Sequence, residues 1–416
     1  MSDYEFQVPS DANASGRSFD GQELSLLSRV LESGTLNCTR GTMVPELERR
    51  FAELLGMPAG TAVSSGTAAV HCAVAAVDPE PGDEIISSPI TDMGAIAPIL
   101  FQTAIPVFAD VDPDTYNITA ETIERVITPR TRAVIVTHLF GNPADMGPIL
   151  DLARRHRFAV IEDCAQAFLA TYKGRQVGTM GDIGCFSLQQ GKHITSGEGG
   201  LVVTRNEHFA RRIRLFHDKA WGYGDPQPDH YFLAPNYRMT ELQGAVALAQ
   251  LDRLETFVRE RQRMADRLTA ALAAVPGVTP PRTTPGAGHV YWRYTVEVDE
   301  QAAGVSLAKL GSQLREAGIA ALPRYIQKPA FECQVLRDQV TFGKSRFPFV
   351  GLNRPAVEYR REDFPNVYRA LARMLVLGWN EKMDEAVVDF IAERFRAAVA
   401  ASRWETHAST LVGENR

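Results

Sequence analysis

The segment between Glu84 and Thr204 constrains the fold most, because short β-rich runs alternate there with amphipathic helical patterns. Two segments, 119–127 and 146–157, carry apolar residues at intervals of three and four, as a helix covering a sheet requires. This alternation is typical of crossover units that build a mostly parallel sheet. The predicted strands are EIISSPI from Glu84, IPVFADV from Ile105, AVIVTHLF from Ala133, FAVIEDCA from Phe158, IGCFSLQ from Ile183 and GLVVT from Gly200.

After Thr204 the pattern changes to long charged helices, which end before a turn-rich stretch at residues 276–289. A chain of 416 residues exceeds the usual size of one domain. We therefore predict an α/β fold with a large domain at residues 21–272 and a smaller C-terminal α+β domain at residues 273–403. Residues 1–20 and 404–416 are predicted to be tails.

Composition argues against several classes of protein. A formal net charge of −6 without a basic stripe disfavours nucleic-acid binding. Polar residues interrupt the apolar stretches before they reach membrane-spanning length, and no basic start precedes an apolar core at the N-terminus, which predicts a cytoplasmic protein without membrane insertion. The five cysteines are scattered and form no CxxC pair, so we predict reduced thiols and no metal site.

A helix that starts with small polar residues is the first candidate binding feature. Ser64, Ser65, Gly66 and Thr67 precede the apolar stretch AAVHCAVAAV. Free backbone N–H groups and the helix dipole make such a start an anion site, and small residues let a phosphate approach the backbone. A plain serine N-cap on a buried helix is an equally good explanation of this motif alone.

Two further segments carry residues suited to catalysis. Asp163 and Gln166 follow a run that resembles a buried parallel strand, and the carboxyl ends of such strands form the ligand crevice of open α/β sheets. Asp163 would serve equally well as a cap for the next helix. Lys192, one of seven lysines, lies in the turn-rich segment GCFSLQQGKHITSGEGG, and a desolvated lysine amine can form a Schiff base with an aldehyde.

These segments together resemble the DegT/DnrJ/StrS sugar aminotransferases, which are fold-type-I enzymes that use pyridoxal 5′-phosphate (PLP) and are related to aspartate aminotransferase. The likeness covers most of the chain. It rests on motifs that occur in the same order: SGTLNCTRGTMVPELERRFAELLG, SSGTAAV, GDEIISSP, PVFADVDPDTYNI, VIVTHLFGNPADM, VIEDCAQA, GDIGCFSLQQGKHITSGEGG and NYRMTELQGA.

The resemblance implies a role for each matching residue. Lys192 would carry PLP and move the proton during transfer, and Asp163 would pair with the pyridine nitrogen. Gln166 would contact the ring hydroxyl. The phosphate would be bound by the small residues Ser65, Gly66, Thr67 and Ser187. Asn236 of NYRMTE would reach in from a second subunit, so the resemblance implies a homodimer with shared sites.

One segment departs from the family pattern. Where the family supplies an aromatic ring that stacks on the cofactor, this chain has SPITDMGAIAPILF, which places Asp92 or Met93 there. His193 follows the predicted cofactor lysine and is expected to be a lining or structural residue. Other candidate substrate contacts are Asp92, His289, Tyr291, Arg293, Tyr325 and Lys328, although an exposed strand face and a solvated loop explain the last five equally well.

The predicted function is transfer of an amino group from glutamate or glutamine to a keto-sugar or keto-cyclitol in secondary-metabolite, antibiotic or glycan biosynthesis. The first alternative keeps PLP but makes the protein a dehydratase or lyase, similar to the aminohydroxybenzoate synthases that share this fold. The second alternative is a regulatory or scaffolding relative without activity. The presence of both Lys192 and Asp163 argues against this second alternative.

Overall fold

The computed structural model describes residues 7–354 and 356–413. Most strands are short, aliphatic and buried. They are β1 (Gly60–Val63), β2 (Glu84–Ser87), β3 (Ile105–Phe108), β4 (Thr131–Thr137), β5 (Ala159–Asp163), β6 (Thr171–Tyr172), β7 (Arg175–Gln176), β8 (Ile183–Ser187), β9 (Gly200–Thr204), β10 (Val278–Thr279), β11 (Ala287–Gly288), β12 (Arg293–Val298), β13 (Ala321–Pro323) and β14 (Met374–Gly378).

Helices precede, separate and follow these strands, and several start at a polar N-cap whose side chain accepts a backbone N–H. They are α1 (Gly21–Ser33), α2 (Met43–Leu54), α3 (Gly66–Val77), α4 (Ala97–Phe101), α5 (Ala120–Glu124), α6 (Met146–His156), α7 (Glu207–Phe216), α8 (Glu241–Leu251), α9 (Leu254–Leu272), α10 (Glu300–Ala303), α11 (Leu307–Glu316), α12 (Gln334–Arg337), α13 (Pro365–Arg373) and α14 (Glu385–Gly413).

The large sheet has seven strands in the order β1-β9-β8-β5-β4-β2-β3. Strands β8, β5, β4, β2 and β3 run parallel to one another, whereas β9 is antiparallel to both of its neighbours. This mostly parallel sheet with covering helices confirms the predicted fold class. Helix α3 packs against β8, β9 and α7, and its residues from Ala68 to Val77 are all buried. Its N-terminus therefore stays fixed beside the carboxyl end of β8.

A second sheet, in the order β10-β12-β14-β13, is entirely antiparallel. Its apolar side chains share one core with residues of α9, α11 and α14. The first residues of α9 pack in a core of the large sheet, and its later residues pack with α14 in the core of the small sheet. Helix α9 therefore connects the two sheets. This arrangement places β12 near the carboxyl ends of the parallel strands, where the catalytic candidates lie.

The described residues define the helices after Thr204 and differ from the sequence prediction at both ends of the chain. The predicted stretch of long charged helices includes α8 and α9, which are separated at Asp252–Arg253. The expected C-terminal tail continues α14 as far as Gly413. At the other end, residues 8–17 are not a free tail, since Val8 packs against the core of the small sheet and Arg17 is only 4% exposed.

Candidate active site

A cavity of about 390 Å³ lies at the carboxyl ends of the parallel strands. It brings together most of the residues that were predicted from the sequence, including groups more than a hundred residues apart in the chain. The side chains and backbone that line it belong to Ser65, Gly66, Thr67, Val70, Thr91, Asp92, Gly94, Ala95, Asp163, Ala165, Gln166, Ser187, Gln189, Lys192, Glu198, Trp292 and Tyr325.

The N-terminus of α3 forms one side of the cavity. Ser65 is the N-cap, and its Oγ accepts the backbone N–H of Ala68 at 3.0 Å. Gly66 lies so close to β8 that an added Cβ would be 2.6 Å from the Cβ of Ser187. Glycine is therefore required here by close approach, and the space beside Ser187 stays open to a ligand. Backbone N–H groups at this helix start provide donors suited to an anion.

Asp163 is the last residue of β5, and its carboxylate reaches the cavity from the sheet. One oxygen accepts the N–H of Ala165 at 3.1 Å, and the other accepts the hydroxyl of Thr137 at 3.4 Å. Burial raises the pKa of Asp163, while the Ala165 N–H and the nearby Lys192 amine oppose this change. A cationic partner in the cavity would therefore stabilise the charged carboxylate.

Glu162 precedes Asp163 and faces the other side of β5, as alternation along a strand requires. Its carboxylate accepts N–H groups from Gly178, Met180 and Gly181 and contacts His138 Nε2 at 3.1 Å. Burial opposes ionisation, but the hydrogen bond to His138 and these backbone donors keep the pKa of Glu162 below its usual value. Cys164 lies nearby, yet both carboxylate oxygens already have partners, so the group serves structure rather than metal binding.

Lys192 lies in the turn after β8, where its N–H donates to the carbonyl of Gln189 at 2.9 Å. Its Nζ is 4.1 Å from the centroid of the Trp292 ring. Desolvation lowers the pKa of the Lys192 amine to about 8, although the charge of Asp163 acts in the opposite direction. With a pKa of about 8, roughly a tenth of the amine is uncharged and nucleophilic at pH 7, far more than for an ordinary lysine.

Trp292 is a lining residue that the sequence reasoning missed. Its indole Nε1 donates to the carbonyl of Gly191 at 2.6 Å, and its ring meets that of Tyr325 edge-on at 5.9 Å between centroids. The surrounding segment HVYWRY, residues 289–294, supplied three candidate substrate contacts, His289, Tyr291 and Arg293. An aromatic residue at the start of a strand that otherwise reads as core gave no separate signal for a ligand.

The segment after β2 places Asp92, not an aromatic ring, at the cavity. The Asp92 carboxylate caps a short 3₁₀ turn by accepting the N–H of Gly94 at 2.8 Å, and the residue is exposed to the cavity. Met93 is absent from the lining and packs against the apolar cluster beneath the sheet. The departure from the family pattern thus leaves an acidic group on this wall.

Two histidines named as candidate substrate contacts lie outside the cavity lining. His193 is fully buried, and its Nε2 lies 3.1 Å from the carbonyl of Val290. Burial lowers the pKa of His193 well below its usual value, so the ring is neutral. His289 stacks on Tyr291 at 3.9 Å, and burial lowers its pKa to about 3. Both positions indicate roles in packing, which for His193 is the structural role expected from the sequence and for His289 differs from the predicted substrate contact.

Asn236 also lies away from the cavity of its own chain. It is exposed, and its side-chain oxygen accepts the N–H of Arg238 at 3.2 Å. The contact predicted for Asn236 across a subunit boundary stays a prediction. Within the part of the chain that the structure describes, no helix combines the length and the apolar character needed to cross a bilayer.

The DegT/DnrJ/EryC1/StrS aminotransferase family matches residues 18–396, which is most of the chain. The chain belongs to this family. Its members are PLP-dependent aminotransferases, so the predicted enzyme class and cofactor are confirmed.

Two relatives and one solved structure illustrate the similarity. GDP-perosamine synthase of Caulobacter vibrioides is 37% identical over 284 residues, covering 68% of this chain and 76% of that protein. The spore coat polysaccharide biosynthesis protein SpsC of Bacillus subtilis is 33% identical over 392 residues, covering 91% and 94%. An aminotransferase from Psychrobacter cryohalolentis has a structure that is 30% identical, with coverage of 93% and 99% and a TM-score of 0.82.

The cavity of this family member has the groups that PLP needs. An amine suited to an aldehyde, a carboxylate suited to a protonated ring nitrogen and a helix start suited to a phosphate all face the same space. A Cβ added at position 66 would clash with the Ser187 side chain, so glycine lets the start of α3 and Ser187 lie side by side at the cavity. The residues present therefore fit the cofactor.

Proposed function

We propose that this aminotransferase takes the amino group of glutamate or glutamine and delivers it to a keto-sugar or keto-cyclitol in the cytoplasm, within secondary-metabolite or glycan biosynthesis. The observation that carries the proposal is the meeting of the Lys192 amine and the Asp163 carboxylate in one cavity. The relatives support the sugar class, since one is named for a GDP-linked product and the other for a coat polysaccharide.

Lys192 is the proposed catalytic base. PLP, when bound, supplies an electron sink for the carbon that loses a proton. The lowered pKa of about 8 lets the amine both accept and release that proton near neutral pH. Trp292 lies against the amine and limits the directions that its side chain can take. These features suit a group that would move one proton between a carbon of the substrate and a carbon of the cofactor.

Asp163 and Gln166 are proposed to hold the ring of the cofactor. Asp163 would accept a hydrogen bond from the ring nitrogen and keep it protonated. The Gln166 Oε1 accepts the N–H of Phe140 at 2.7 Å, which fixes the amide so that its NH₂ group is the part free to contact a ring hydroxyl. Tyr325 lines the same cavity as this amide.

The phosphate would lie at the start of α3, between Gly66, Thr67 and Ser187. Lys192 is the only lysine or arginine among the described lining residues, whereas three acids, Asp92, Asp163 and Glu198, also line the cavity. Beyond the Lys192 amine, the described lining residues of one chain therefore offer a dianionic phosphate no cationic side chain. This supports a homodimer in which Asn236 of a second subunit completes the site.

Substituting Gly66 with alanine should weaken PLP binding by about tenfold or more, because the new Cβ would be 2.6 Å from the Cβ of Ser187 and would push apart the helix start and the serine that are proposed to bind the phosphate. The measurement is a spectroscopic titration of cofactor-free protein with PLP. Gly21→Ala is the matched control, since a Cβ at the first residue of α1 meets no heavy atom within 4 Å. Equal affinity in the two variants would contradict the proposed phosphate site.

The donor is tested by single-turnover absorption measurements on the holoenzyme. Glutamate, glutamine, alanine and aspartate are added separately without an acceptor, and the visible band of bound PLP is followed. We expect glutamate or glutamine alone to bleach the band and to yield about one 2-oxo acid per active site. Release of water or ammonia from a hydroxylated substrate without any 2-oxo acid would instead support the dehydratase or lyase.

The acceptor is tested on the protein that the donor has already converted. A GDP-linked keto-hexose and an unlinked keto-cyclitol are compared for return of the visible band and for an aminated product by mass spectrometry. Return of the band with either compound supports the proposed acceptor class. Return only with simple 2-oxo acids would show that the enzyme is not a sugar or cyclitol aminotransferase.

A further inference from the structure

A short N-terminal segment, residues 8–17, lies across the turn that carries Lys192, and is called here the N-terminal strap. The Arg17 guanidinium donates to the backbone carbonyl of Lys192 itself at 2.7 Å. On the same turn, the Gln190 side-chain amide donates to the carbonyl of Asp11 at 3.0 Å. The strap thus holds the backbone on both sides of Gly191, although it is separated from this turn by about 175 residues of sequence.

A second set of contacts runs from the strap to the Lys192 side chain. The Asp11 carboxylate accepts a hydrogen bond from Arg293 at 2.5 Å. The Arg293 guanidinium lies 4.5 Å from the centroid of the Trp292 ring, and the Lys192 amine lies 4.1 Å from the same centroid. Because the Trp292 indole also donates to Gly191, its ring has a fixed position against the turn.

The strap is itself anchored, so it can act as a support. The Asn380 side chain donates to the carbonyl of Pro9 at 2.9 Å, and Val8 packs on the core of the small sheet. Within the strap, the Arg17 Nε donates to the carbonyl of Asp11 at 3.2 Å. Arg17 is almost completely buried, and burying a guanidinium charge is unfavourable unless the group is paired and hydrogen-bonded.

We infer that Arg17 and Asp11 are positioning residues for the cofactor lysine. Arg17 holds the Lys192 carbonyl, and the Asp11–Arg293 ion pair holds the Trp292 ring beside the amine. Neither residue lines the cavity, so both act through groups that do. The inference rests on the role proposed above for Lys192.

Charged groups face the Lys192 amine from several elements. Asp163 at the end of β5, Asp92 after β2 and Asp11 of the strap favour its protonated form, while Arg293 of β12 opposes it. Glu198 and Tyr325 also line the cavity. Loss of the Asp11 charge leaves Arg293 without its counter-ion, so the amine should lose its proton more readily. Loss of the Arg293 charge should have the opposite effect.

The experiment compares Asp11→Asn and Arg293→Gln with the unaltered protein, all without cofactor. Acetylation of Lys192 is measured against pH by peptide mass spectrometry, with the exposed Lys173 as an internal reference. We expect the apparent pKa of Lys192 to fall by about half a unit or more in Asp11→Asn and to rise by a similar amount in Arg293→Gln. Asp389→Asn, which removes an exposed partner of Arg267, is the matched control and should leave it unchanged.

Hydrogen exchange tests the positioning of the backbone. Amides of residues 188–196 should exchange about tenfold faster in Arg17→Gln than in the unaltered protein, and Arg17→Lys should restore part of the protection. An unchanged Lys192 pKa in both charge variants, together with unchanged exchange, would overturn the inference. Reduction of the PLP-loaded protein with borohydride, followed by peptide mapping, separates the two proposals, because a label on another lysine would refute the role of Lys192 instead.

Discussion

Lys192→Ala is expected to lower the rate of amino transfer by about 10³-fold or more, because the variant lacks both the amine that binds PLP and the base that moves the proton. The visible band of lysine-bound PLP should be absent. The measurements are the absorption spectrum of the purified variant with added PLP and single-turnover transfer from the preferred donor. The fold should be retained, since the Lys192 backbone, not its side chain, makes the hydrogen bonds to Gln189 and Arg17.

A second lysine provides the control for this prediction. Lys173 is exposed on the loop between β6 and β7 and does not line the cavity. Lys173→Ala should therefore keep both the visible band and the transfer rate. Transfer by Lys192→Ala at a rate close to that of the unaltered enzyme would show that another group serves as the base.

The large sheet was predictable because its parallel strands are buried on both faces. Strands such as β5 and β8 must then be continuous apolar runs, which stand out in the sequence between two amphipathic helices. The same reasoning placed Asp163 at a strand end that faces the ligand crevice, whereas Ser187 was named only through the resemblance to the family. Strand β1 was not predicted, because its four residues, GTAV, are too few to show the alternation of a strand.

Contacts between distant parts of the chain were not predictable from local patterns. Trp292 meets Lys192 across about a hundred residues, and nothing in its neighbours marks it as a cavity residue. His193 is adjacent to Lys192 in the turn after β8, yet its ring is buried in the core and contacts the carbonyl of Val290, about a hundred residues further along the chain. Residues 8–17 were predicted to be part of a tail because, apart from the packing of Val8, their anchoring depends on hydrogen bonds of Asp11 and Arg17.

Asp163→Asn is expected to lower kcat by about 10²- to 10⁴-fold while PLP stays bound, because an amide cannot keep the ring nitrogen protonated. The fold should be nearly unaffected. The amide oxygen can still accept the N–H of Ala165, and the amide nitrogen can donate to the Thr137 hydroxyl. Steady-state kinetics and a PLP titration together distinguish loss of catalysis from loss of cofactor.

The neighbouring acid on β5 provides the contrasting variant. In Glu162→Gln, the new NH₂ group would face the N–H donors of Gly178 and His138, leaving both without an acceptor in a fully buried site. We expect this variant to lose about 2–4 kcal/mol of unfolding free energy in urea while its kcat changes little. Of the two adjacent carboxylates on opposite faces of β5, Glu162 would then support the stability of the fold and Asp163 would support catalysis. If Asp163→Asn instead destabilised the fold and kept its kcat, Asp163 would be a helix cap and not the partner of the cofactor ring.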